Sequence, residues 1–191
     1  GNAYRSHHAR TLTEYAEGRL RAEGLVAGDD QHPGLVNLAS GMLDPLTGDT
    51  HPHDPAHLSL VQLPVAWDPT ATCPTFDAWL PTVVRAGLVD DLLESAAQLL
   101  ETRLNRQQRR ALFLHGPSRS GKSTFLRLLE RLVGPHRSAV TLAQLSGDAF
   151  AAADLAGSIL NSAADLSSAH LDDLSLFKAL TGDDPVRAQR K

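Results

Sequence analysis

Gly116-Pro117-Ser118-Arg119-Ser120-Gly121-Lys122-Ser123 is the stretch on which the fold turns. It fits the pattern G-x-x-x-x-G-K-[ST] without a mismatch. The apolar run Ala111-Leu112-Phe113-Leu114 leads in as an expected strand, and Thr124-Phe125-Leu126-Arg127-Leu128-Leu129 leads out at helical spacing. Strand, glycine-rich loop and helix in that order form a phosphate cradle. The glycines let successive backbone N–H groups turn inward, and the N-terminus of the following helix adds partial positive charge. Lys122 then reaches the β- and γ-phosphates of a nucleotide, and the Ser123 hydroxyl serves as a ligand for Mg²⁺.

The candidate ATP contacts are therefore Gly116, Pro117, Ser118, Arg119, Ser120, Gly121, Lys122, Ser123 and Thr124. The plain alternative is an ordinary glycine-rich turn. Lysine usage argues against it, because the chain has lysines only at 122, 178 and 191, and one of them fills the key position. The Lys122 side chain is expected to face solvent without ligand, so that Lys122→Ala leaves the fold intact.

Downstream, helix 124–133 is expected to stop at Gly134-Pro135. Strand 138–142, helix 148–156, strand 158–163 and helix 172–180 follow, and this alternation implies a parallel α/β sheet. Upstream, Leu88, Leu92, Leu93, Ala96, Leu100 and Leu104 make an amphipathic helix. Phe76, Trp79, Leu80, Val83 and Val84 share the face of another, which Pro81 shortens or kinks. These two helices read as a collar. Residues 35–38, 41–44 and 57–63 are short strand candidates separated by turns such as Asp44-Pro45-Leu46-Thr47-Gly48-Asp49, and residues 11–24 fit a helix. The expected organisation is an α+β region over 1–69, a helical collar over 70–107 and a P-loop unit over 108–191.

The chain of 191 residues balances 18 basic against 22 acidic residues, so whole-chain charge does not mark a nucleic-acid binder. The distribution is uneven. Arg103, Arg106, Arg109, Arg110, Arg119, Lys122, Arg127, Arg131 and Arg137 face only Glu130 in their stretch. Such a block suits a polyanion on one side, and equally a solvated helix face. The single Cys73 excludes an internal disulfide and a thiolate metal cluster. His51 and His53 lack a second ligand pair at finger spacing and read as a polar turn. With no run approaching the ~20 apolar residues of a membrane span and no signal segment, a soluble, intracellular protein is expected.

A P-loop that hydrolyses ATP also needs an acid at the end of a neighbouring strand. Asp165, after Ser158-Ile159-Leu160-Asn161-Ser162-Ala163-Ala164, is the candidate, both as second catalytic residue beside Lys122 and as second Mg²⁺ ligand beside Ser123. It fits a turn or helix N-cap equally well. Further on, Lys178-Ala179-Leu180-Thr181-Gly182-Asp183-Asp184 carries a helix into a turn and a basic tail, and the same residues fit a simple helix cap at Gly182.

Taken in order, these pieces resemble the phage and plasmid primase-helicases. The similarity runs through Leu38-Ala39-Ser40-Gly41-Met42-Leu43-Asp44, Thr47-Gly48-Asp49, His53-Asp54-Pro55, Leu63-Pro64-Val65-Ala66-Trp67-Asp68-Pro69 and Cys73-Pro74-Thr75-Phe76. The loop at 116–124, Leu155-Ala156-Gly157, Asp165 and Phe177-Lys178-Ala179-Leu180-Thr181-Gly182-Asp183-Asp184 resemble that family's superfamily 3 helicase motifs, and the whole similarity spans roughly residues 35–191.

The resemblance implies a P-loop AAA+-type parallel sheet with flanking helices, in a hexameric, cytoplasmic ATPase of a mobile element that moves along single-stranded DNA, with a primase attached or separate. It implies ATP and Mg²⁺ on the 116–124 loop, Asp165 as the Walker B acid, and DNA contact by Lys178, Arg187, Arg190 and Lys191. Two departures stand out. Ala164 occupies a position where relatives carry a second polar or acidic residue, and no later sensor residue or arginine finger follows Lys191. The chain is thus expected to be part of a longer protein, binding nucleotide or partner subunits without turnover by itself. A small-molecule P-loop kinase is the rival enzyme; the short, alanine-rich stretch 138–157 offers little room for its lid and acceptor pocket.

Overall fold

The computed structural model describes residues 11, 15, 34–57, 59, 61–100, 111–148, 150–163 and 175–182. The expected helix over 11–24 and the basic run from Arg103 to Arg110 lie outside the described residues, apart from residues 11 and 15.

Three short strands open the described chain: β1 (Val36–Leu38), β2 (Gly41–Leu43) and β3 (Thr50–His51). They form an antiparallel sheet in the order β1-β2-β3, with Val36 opposite Leu43 and Leu43 opposite Thr50. The turn between β2 and β3 is closed by Asp44, whose carboxylate accepts the Leu46 amide at 2.9 Å. Of the expected strand 57–63, His57 closes a 3-10 turn (Pro55–His57), and Leu63 forms a parallel bridge to Leu38. The bridge places Leu63 in the core beside Val36, Leu38 and Leu43.

Helix α1 (Pro74–Val83) starts on a proline, whose missing N–H would have no intrahelical partner anyway. It ends soon after Pro81, which cannot donate to the preceding turn. Helix α2 (Val89–Ala97) carries Asp90 and Asp91 in its first turn, where the helix dipole favours acids. Both collar helices fall where the apolar spacing placed them, although α2 stops at Ala97 and gives way to turns that bring Leu99 and Leu100 onto the core.

Helix α3 (Lys122–Val133) follows the glycine-rich loop. Phe125, Leu129 and Val133 recur every four residues, so one face is buried while Arg127 and Arg131 stay in water. Its two apolar ends serve different clusters. Phe125 and Leu129 meet Leu80 of α1, with Trp79, Val89, Leu92 and Ala96 around them. Val133, fully buried, joins Val36, Leu38, Leu43 and Leu63 of the antiparallel sheet. Each such side chain contributes about 1.5–3 kcal/mol by burial. The sheet, the collar and the loop helix therefore share a continuous interior.

Gly134 ends α3 at φ 58°, and a Cβ there would lie 2.6 Å from Pro64 Cγ. The chain then makes β4 (Arg137–Ser138), helix α4 (Leu142–Gly147), a 3-10 turn (Ala151–Leu155) and β5 (Leu160–Asn161). β4 and β5 are parallel, with Arg137 opposite Leu160, and α4 with the 3-10 turn supplies the crossover that parallel pairing needs. The strand expected over 138–142 stops early because Thr141 caps α4: its hydroxyl accepts the Gln144 amide while the Gln144 side chain accepts the Thr141 amide. Asn161 extends the pairing with its side chain, accepting the Val140 amide at 2.8 Å and donating to the Val140 carbonyl at 2.9 Å. Helix α5 (Ser175–Thr181) packs beside α4.

Ala111–Leu114, expected as the strand before the loop, carries no strand pairing among the described residues. Leu114 reaches the core, while Phe113 stays more than half exposed and meets Phe177 of α5 edge-on at 6.3 Å. The architecture is a small mixed α/β fold with a short antiparallel sheet and a parallel pair.

Candidate phosphate-binding site

The loop at 116–121 turns on two left-handed residues, Arg119 at φ 62° and Gly121 at φ 87°. Gly121 is the N-cap of α3, and having no side chain it caps nothing. The first bond of the helix runs from the Phe125 amide to the Gly121 carbonyl at 3.0 Å, so the amides of Lys122, Ser123 and Thr124 have no acceptor within the helix. Those three donors and the positive end of the dipole meet at one spot.

Lys122 does not face solvent, contrary to expectation. The half-buried side chain folds back over its own loop, donating from Nζ to the carbonyls of Gly116 (2.8 Å) and Pro117 (2.7 Å) and to Ser120 Oγ (3.2 Å). The physical reason is local: two carbonyls converge inside the loop and need a donor, and the first residue of the helix is the nearest cation. Ser123 and Thr124 are exposed beside it.

This loop lines an open pocket of about 350 Å³. One wall is the run 119–124; the other is Trp79 and Val83 of α1. Spacing of four residues puts both on one helix face. The contact is close, since a Cβ on Gly121 would fall 3.0 Å from Trp79 Cζ2 and 3.2 Å from Val83 Cβ. Glycine is thus required twice at 121, by its dihedral and by the neighbouring helix. Arg119 and Lys122 are the charged residues of the lining, and no acid joins them. The pocket suits an anion.

Of the predicted contacts, residues 119–124 line the pocket from the end of the loop to the first turn of α3; Gly116, Pro117 and Ser118 are not in its lining, and Gly116 and Pro117 are engaged by Lys122 through their carbonyls. Lys178 lies apart from them on α5, exposed, with its carbonyl accepting the Gly182 amide at 2.7 Å in the expected helix cap. Asp165, Arg187, Arg190 and Lys191 lie outside the described residues. Among the described residues no group of three or more His, Cys, Asp or Glu is placed to hold a metal ion. His53 donates to the Leu38 carbonyl at 2.8 Å, tying its loop to β1. No helix among the described residues is long and apolar enough to cross a membrane.

Sequence reasoning missed Trp79 and Val83 as pocket residues. It placed them on an apolar helix face without showing that the loop would come to rest against it.

Comparison with known families gives two matches, one to each side of residues 86–113. Residues 14–85 match the family described as D5 N terminal like, the N-terminal region of phage and plasmid primase-helicases, which supports a primase-helicase-type protein. Residues 114–191, which contain the loop, match a family of unknown function. No curated protein matches the chain.

Proposed function

We propose that this chain is the nucleotide-binding part of a phage- or plasmid-type replicative DNA helicase, which binds ATP with Mg²⁺ on the 116–124 loop and couples hydrolysis to movement along single-stranded DNA. The observation that carries the reading is the pocket itself. Unpaired amides at a helix N-terminus, a lysine and an exposed serine line it together, in a chain whose preceding segment matches the primase-helicase N-terminal region.

Lys122 would exchange its carbonyl partners for the β- and γ-phosphates, and the amides of Lys122, Ser123 and Thr124 would take up the remaining oxygens. Ser123 would hold Mg²⁺, which neutralises phosphate charge when bound. Asp165 is assigned as the acid that completes the metal site and orients water, and the parallel pair β4-β5 as part of an AAA+-type sheet. An arginine from a neighbouring subunit of a hexamer would complete the charge compensation. Lys178, Arg187, Arg190 and Lys191 are assigned to DNA phosphates, so binding should be almost independent of sequence and fall steeply with salt.

Calorimetry with Mg-ATP on the wild type and on Lys122→Ala tests the site. Affinity should fall at least about tenfold in the variant, and stability by only about 1 kcal/mol, because the bonds lost are partly solvated. Unchanged affinity would reduce the loop to a turn. Phosphate release by the whole protein, with and without single-stranded DNA, tests the helicase assignment.

A further inference from the structure

The phosphate-binding reading accounts for the wall formed by the loop, and leaves the opposite wall unexplained. Trp79 is half-buried; its ring contacts the core cluster on one side and lines the pocket on the other, next to Gly121. Phe76 braces it at 6.0 Å with the rings tilted by 43°. Val83 extends the same apolar surface. The pocket is therefore two-faced. Its charged side fits an anion, and its indole side fits a flat apolar group attached to that anion. At about 350 Å³ it exceeds the needs of a bare phosphate chain and falls within the range of small-molecule sites.

We propose that Trp79 is a binding residue for the base of the nucleotide, with Val83 supporting it, so that α1 of the N-terminal region completes the nucleotide site. This rests on the nucleotide reading of the loop. The ligand is accordingly a nucleoside triphosphate, and not inorganic polyphosphate alone. An aromatic ring offers a π-face to any base, and its removal from a stacked contact weakens binding by about tenfold.

The experiment uses the full chain with Mg²⁺ and two probes, ATP and inorganic tripolyphosphate. Trp67→Phe leaves Trp79 as the sole tryptophan, since the chain contains two. ATP should then quench and shift its emission, and tripolyphosphate should displace ATP without reproducing the signal. By calorimetry, Trp79→Ala should weaken ATP about tenfold and leave tripolyphosphate affinity unchanged, while Trp79→Phe keeps most of the ATP affinity. If Trp79→Ala unfolds, Trp79→Phe and the single-tryptophan emission decide. Lys122-dependent ATP binding with no Trp79 signal, or equal loss for both probes, overturns the proposal and leaves the nucleotide site standing. Failure of the wild type to bind either probe, or binding indifferent to Lys122→Ala, overturns both.

Discussion

Helices α3 and α4 are neighbours in sequence and begin in opposite ways. At α4, Thr141 and Gln144 close the first turn reciprocally, so the leading amides are satisfied by the chain's own side chains. At α3, Gly121 offers no side chain, and the amides of Lys122, Ser123 and Thr124 open onto a pocket that also holds Arg119. Capping is the ordinary solution and is worth about 1 kcal/mol. Helix α3 forgoes it next to two cations and turns its leading donors to the pocket. The contrast sets a helix start closed by its own side chains against one left open to a pocket.

The largest break in that contrast should come from Gly121→Ala. The alanine must hold a left-handed backbone dihedral while its Cβ presses against Trp79 and Val83, so thermal unfolding should show a loss of about 2 kcal/mol. Mg-ATP affinity should drop with it, because the loop and α1 can no longer close together. Retained affinity with full stability would show that the collar helix yields easily and that the close contact has no role.

Thr141→Ala comes next and should act only on stability. Loss of the hydroxyl unseats the capping box, for about 1 kcal/mol by chemical denaturation. Nucleotide affinity should be unchanged. A coupled fall in affinity would mean that the two helix starts are not independent.

The smallest effect is expected at the far end of α3. Glu130 accepts from Arg137 at 2.7 Å and from Ser162 Oγ at 2.6 Å, linking the helix to the segments of β4 and β5. Arg137 is about half exposed. Glu130→Gln should therefore cost less than about 1 kcal/mol and leave ATP binding intact. A larger loss would show that this link, and not the apolar face of Phe125, Leu129 and Val133, holds the helix in place.

Much of this was legible in advance, for reasons that differ by element. The turn before α3 could be read because its geometry is local: a glycine at a fixed offset before the helix needs no distant partner. The collar helices and α3 could be read because an apolar stripe at helical spacing survives any arrangement of neighbours. Strands fared worse. Ala111–Leu114 has the composition of a strand, but a strand exists only with a partner, and none pairs with it among the described residues. Lys122 was expected in solvent because sequence does not reveal where the carbonyls of Gly116 and Pro117 point. Trp79 was invisible as a pocket wall because its contact with Gly121 joins segments far apart in the chain. Asp165 and the three tail residues Arg187, Arg190 and Lys191 lie outside the described residues.

The contact between Pro64 and Gly134 has a consequence for how such a chain can be recombined. Pro64 lies in the stretch that matches one family and Gly134 in the stretch that matches another. The gap between the two matches would look like a natural place to join two parents. A chimera joined there inherits Pro64 from one parent and the end of α3 from the other. Any side chain in place of Gly134 would collide with that ring, and Val133 would have to find new neighbours among foreign strands. The two stretches match different families and yet pack as one unit, so an exchange at the seam should succeed only where the residues on both sides of it suit each other.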